Sequence, residues 1–175
     1  MATDIFLSVG HTLGSEQEKF VEAVEVLLRS HGLVPRTVGR TDFADRQPLK
    51  RIAEVLRMCS GTIVVALKRT HIRDGTEWCD APTPCVLTNV SLPTVWNQIE
   101  AAMAYSMEQP LLAIVEPDLR SEGVLEEGYD WYVKWLDLSP GSLAESGFVK
   151  TFDSWKQNVM KYQAEQVRRG SWEHA

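Results

Sequence analysis

"PTVWNQIEAAMAYSMEQPLLAIVE", residues 93–116, decides the fold, because it runs a helix directly into a buried strand. Stepping 100° per residue from Trp96 places Ile99, Met103 and Met107 within about 60° of it, which predicts a helix over about 93–108 with one apolar stripe. Pro110 then opens "PLLAIVE" (110–116), apolar on both faces as a central parallel strand must be. One residue does not fit the stripe. Glu100 falls at about 40°, inside it, where a carboxylate would face the core.

The same alternation continues on the N-terminal side. "DIFLSV" (4–9) is a short apolar strand ending at Gly10. Ser15-Glu16-Gln17-Glu18 reads as a capping box, with Phe20, Val24, Leu27 and Leu28 following at helical spacing and Gly32 closing the helix. "LVPRTV" (33–38) predicts a strand, and Pro35 puts it at a sheet edge. The polar loop "GRTDFADRQ" (39–47) precedes a helix that starts near Pro48 and carries Leu49, Ile52, Ala53, Val55 and Leu56. "GTIVVAL" (61–67) is the clearest buried strand. Residues 68–92 show no periodicity and read as a long loop insertion. Beyond 116 the pattern weakens: "YDWYVKWLDL" (129–138) fits a strand or a short helix. "GFVKTF" (147–152) reads as a last strand and 153–169 as a last helix carrying Trp155, Val159, Met160 and Tyr162.

Strands alternating with helices imply an α/β fold: a flavodoxin-like, doubly wound parallel sheet of about five strands in a single domain over 1–175. Such folds bind ligands beyond the carboxyl ends of the strands, here the loops 10–14, 39–47, 68–92 and 117–128. The chain has 175 residues, 44% hydrophobic and 24% charged, with a net charge of −6, which argues against a duplex nucleic-acid partner. No apolar run approaches a membrane span and no signal peptide is read, so no membrane partner is expected. Three cysteines without framework spacing point to a reducing, cytoplasmic setting. His71, Cys79 and Cys85 lack the close Cys pair and fourth ligand of a zinc site, so no metal is expected.

"WNQIE" (96–100) is a Trp-x-x-x-Glu, and it resembles the catalytic segment of Toll/interleukin receptor (TIR) domains, in which a Glu drives NAD cleavage. "TDIFLSVGHT" (3–12) is similar to that family's first box, and "GRTDFADRQ" lies where its BB loop would be. "EAAMAYSMEQPLLAIVE" (100–116) also resembles the nucleoside 2-deoxyribosyltransferases, which carry a catalytic Glu followed by small residues, here Ala102 and Ala104; Ala102 stands where that family commonly has Gly. The resemblance covers about 3–116. It departs from TIR domains in the long 68–92 segment, whose "EWC" (77–79) has no Glu four residues after its Trp.

The resemblance implies Glu100 as the catalytic residue and Trp96 as a pocket wall. A carboxylate there can stabilise an oxocarbenium-like centre or attack it, while burial raises its pKa against a helix N-terminus that lowers it. Gly10 and His11 follow the first strand, so His11 fits either a phosphate or ribose contact or an ordinary loop histidine. Arg40 and Asp42 fit a pyrophosphate and ribose pair or a solvated surface pair. Lys68, Arg69 and His71 fit an anion site or a solvated run. Asp118 and Asp130 are weaker nucleoside candidates, and Trp131 and Trp135 read as core or assembly surface. "GHTLGS" (10–15) is neither a dinucleotide fingerprint nor a P-loop. The expected function is cleavage of the N-glycosidic bond of NAD or a related nucleotide, by hydrolysis or cyclisation, with NAD as substrate and no cofactor. The alternatives are a deoxyribosyltransferase or nucleotide N-glycosidase, and a non-catalytic interaction or nucleotide-sensing module. A homo-oligomer or a sensor-bearing partner subunit would accompany the TIR-like reading.

Overall fold

A computed structural model describes residues 2–12, 14–42 and 48–172, with side chains described up to 169. Five parallel strands form one sheet: β1 (Thr3–Val9), β2 (Leu33–Arg36), β3 (Thr62–Ala66), β6 (Leu111–Val115) and β7 (Tyr132–Trp135), in the order β2-β1-β3-β6-β7. An antiparallel hairpin, β4 (Thr70–Glu77) with β5 (Cys85–Leu92), stands apart as its own two-stranded sheet. The helices are α1 (Ser15–Ser30), α2 (Pro48–Met58), α3 (Val95–Ser106) and α4 (Ser146–Trp172). This is a flavodoxin-like α/β single domain, with the order of the sheet reversing direction between β1 and β3.

Side-chain alternation in the strands divides the core. Ile5, Leu7, Ile63, Val65, Leu112 and Ile114 face one way, under α1 and α4; Phe6, Val64, Ala66, Ala113 and Val115 face the other, under α2 and α3. Ser8 follows Phe6 on the α2/α3 side, so the period that fills the core also delivers a hydroxyl to the end of β1. β2 is an edge strand, as Pro35 requires, and Gly32 (φ +74°) ends α1 in the left-handed region.

Four expectations change. Residues 68–92 are not an unstructured loop but the β4–β5 hairpin; both of its faces are largely exposed, so no apolar alternation marks it in the sequence. "GFVKTF" is not a strand but the first turns of α4: Phe148, Phe152, Trp155 and Val159 repeat at helical spacing and are all buried. The fifth sheet strand is instead β7, within 129–138. The capping box does not form, because Glu18 turns to Arg40 and Thr12, and Gly14 precedes the helix without a side-chain cap. Of the polar loop expected at 39–47, residues 43–47 lie outside the described residues.

The apolar stripe of α3 is also displaced. Its buried face is Asn97, Glu100, Ala101 and Ala104, whereas Trp96 is 40% exposed and Ile99 is 37% exposed. That face centres about 90° from Trp96, and Glu100 lies on the edge shared with the apolar stripe. Small side chains let α3 approach β1 and β3 closely, and the polar ones are carried in with it.

Candidate functional site

The carboxyl ends of β1 and β3 diverge at the point where the strand order reverses. Gly10 and His11 leave β1 there, and Leu67, Lys68 and Arg69 leave β3. The chain then makes its hairpin excursion and returns at Leu92, whose carbonyl accepts from the Arg69 amide at 3.0 Å. Thr94 caps α3, its hydroxyl accepting from the Trp96 amide at 3.4 Å. Gly10 is required by this return. A Cβ on it would come within 2.9 Å of Thr94 Cγ2.

Between these segments lies a cleft of about 500 Å3, walled among others by Gly10, His11, Ile52, Arg69, Trp96 and Glu100. Glu100 is 8% exposed. Burial pushes its carboxyl up to about 7, opposed by a hydrogen bond with the Ser8 side chain, and among the described residues no cation enters the balance. At neutral pH the group is divided between its acid and its carboxylate. One turn earlier, Asn97 is fully buried; its Nδ2 donates to Ser8 Oγ at 2.9 Å and to the Ser8 carbonyl at 3.3 Å, while its Oδ1 has no partner among the described residues. Ser8 therefore joins Asn97 to Glu100.

Of the residues singled out in the sequence, Glu100, Trp96, His11 and Gly10 meet at this cleft. Lys68 lines a narrow recess beside it, but its ammonium is already 3.2 Å from Asp118 and 3.9 Å from Glu116. Arg69 lines both spaces. Among the described residues its guanidinium reaches the His11 carbonyl, at 3.4 Å, and has no carboxylate partner.

Arg40 and Asp42 do not line the cleft. Asp42 is buried and gripped by Arg36 through Nε and Nη2 (2.9 and 2.7 Å) and by Arg51 at 3.0 Å, which holds its carboxyl below the usual range. Arg40 is bound to Glu18 and lies 3.7 Å from Glu25. Asp118 is engaged with Lys68, and Asp130 accepts from Tyr105 at 3.2 Å at the opposite end of the sheet. Trp131 and Trp135 pack against the cluster around Val64 and Leu125.

His71 pairs opposite Ser91 and Cys85 opposite Glu77, at opposite ends of the hairpin. Among the described residues no three His, Cys, Asp or Glu side chains gather as a metal site, and no helix is long and apolar enough to cross a membrane. Neither Ser8 nor Asn97 stands out in the sequence by residue type. The available signal was position: Asn97 is one turn from Glu100 on the same helix, and Ser8 alternates with core residues of β1.

No known protein family matches the chain, and no curated protein does. Among solved structures, it is similar to a CMP N-glycosidase from Clostridium botulinum, BcmB, with 11% identity, a TM-score of 0.49, and 87% of this chain and 99% of that chain covered. It is similar at the same identity and TM-score to the flavodiiron core Flv1 from Synechocystis, covering 91% of this chain and 36% of that one.

Proposed function

We propose that this chain cleaves the N-glycosidic bond of a nucleotide, with Glu100 as the catalytic group and NAD as the first substrate to test. The observation that carries this reading is a carboxyl buried on the wall of an open cleft with no cation among the described residues to neutralise it. A structural buried carboxylate finds a partner, as Asp42 does. Trp96 offers an aromatic wall for the base, and Arg69 offers charge for a phosphate.

In the reaction the C1′–N bond breaks and its electron pair leaves with the base. The ionised Glu100 either attacks C1′ or stabilises its positive charge, and water then adds at C1′ and releases a proton. Nicotinamide leaves a cationic ring nitrogen as a neutral molecule and needs no proton, so one carboxylate suffices for NAD. Activity then rises with pH as Glu100 ionises, with its midpoint near 7.

The test is chromatographic detection of free base after incubation with NAD, CMP and other nucleotides, at low and high protein concentration. Glu100→Gln is expected to lower release by ~10³-fold or more without unfolding the protein. A folded Gln variant that still turns over at the original rate overturns the assignment.

A further inference from the structure

The recess beside the cleft has room for about one water-sized group, about 10 Å3, and it shares Gly10, His11, Arg69 and Thr94 with the cleft itself. Asn97 is on its wall, fully buried, with Oδ1 unpartnered. Nδ2 already faces two acceptors, Ser8 Oγ and the Ser8 carbonyl, so exchanging the amide's two ends would put an oxygen against that carbonyl. The buried atom is therefore an acceptor. Leaving it unpaired is costly, and a group of the ligand that donates a hydrogen bond relieves that cost.

We infer that Asn97 Oδ1 reads a ribose hydroxyl of the nucleotide, which makes this recess the point where the site selects its sugar. A phosphate oxygen is excluded as the partner of this atom, because it would bring lone pairs against lone pairs; phosphate belongs with the Arg69 guanidinium. The recess also admits a single atom and its hydrogen, which suits a hydroxyl. Asn97 is one helical turn before Glu100 and on the same buried face, so a sugar with its anomeric carbon at Glu100 has a ring hydroxyl within the span of one turn. The inference rests on the proposed reading that the cleft takes a nucleotide. It does not require that the nucleotide be cleaved.

The test uses binding alone. Titration calorimetry on the full chain carrying Glu100→Gln, which blocks turnover, compares AMP and CMP with their 2′-deoxy and 3′-deoxy forms. For the nucleotide that binds, removal of one of the two hydroxyls is expected to weaken binding about tenfold, and Asn97→Ala is expected to erase that difference. Because Asn97 also holds Ser8, a second measurement needs no change at 97: the Asn97 side-chain amide resonance should move with the ribonucleotide and not with the discriminated deoxy form. Equal binding of all three sugars, a difference that survives Asn97→Ala, an unmoved amide resonance or no binding of either ribonucleotide overturns the inference. A protein that discriminates sugars but never releases base would sink the proposed reaction and leave this inference standing.

Discussion

Asp42 and Glu100 are two buried carboxyls in one small protein, and their surroundings are opposite. Asp42 is 4% exposed and Glu100 8% exposed, so surface exposure alone does not tell them apart. Asp42 lies between Arg36 and Arg51, accepts from Thr41, and stays ionised well below neutral pH. Glu100 has one hydroxyl and an open cleft, and it titrates near 7. Two arginines hold Asp42 ionised, whereas deeper burial without such a partner among the described residues pushes Glu100 up.

The comparison breaks first at Asp42. Asp42→Ala leaves two arginines facing each other without their anion, and it is expected to cost about 3–4 kcal/mol at pH 7 by denaturant unfolding. Because the folded pKa of Asp42 is lowered, its contribution is in place above about pH 4 and is lost as pH falls through the folded value. The deficit of the variant should therefore shrink in acid; a constant deficit would mean lost packing instead.

Glu100 should behave in the reverse sense. Its folded pKa lies above that of the unfolded chain, so its protonated form favours folding below about pH 4.5, and this is lost as pH rises through 7. Glu100→Gln is expected to match the parent at pH 4 and to exceed it by roughly 3 kcal/mol at pH 8. Parallel stability curves for parent and variant would remove the premise that Glu100 is buried without a counter-charge.

Trp96→Ala sharpens the contrast further. The sequence placed Trp96 in a core stripe, where removal would cost ~3–5 kcal/mol. With 40% of it exposed on the cleft wall, the expected cost is only about 1–2 kcal/mol, accompanied by a roughly tenfold loss of nucleotide affinity. A large loss of stability with unchanged affinity would return Trp96 to the core.

The smallest effect is at Ser8. Ser8→Ala removes the hydroxyl that opposes burial, so the Glu100 carboxyl, followed by NMR, should titrate at a higher pH than in the parent. A downward shift or none would show that the hydroxyl does not act on it.

The sheet was legible where burial writes itself as apolar runs or helical stripes. β1, β3, β6 and α1 follow directly from such patterns, and Pro35 marks β2 as an edge. The hairpin was not legible, because a ribbon exposed on both faces places no hydrophobic alternation in the sequence. "GFVKTF" misled because six residues cannot distinguish a strand from the opening of a helix whose stripe continues at Trp155 and Val159. At the candidate site, Glu100 was visible as a charge within an apolar pattern. Asn97 was not, since the true buried face of α3 is made of alanines and polar groups that a hydrophobic stripe does not describe. Arg40 and Asp42 follow β2 in sequence, but they are drawn away by ion pairs with Glu18, Arg36 and Arg51, which a single linear reading does not reveal.

The hairpin enters and leaves the domain at one place. Thr70 pairs directly with Leu92, so its two feet stand side by side next to the mouth of the cleft. The central sheet is hydrogen-bonded without it. Its principal ties to the rest of the chain are the Arg120–Glu77 ion pair, the Ser91–Leu119 bridge and the Arg120 amide on the Ser91 carbonyl. A segment with such joints can be lengthened, shortened or rewritten while the hydrogen bonding of the central sheet stays intact. A change of length or sequence in the hairpin would therefore alter the border of the cleft without altering the fold beneath it.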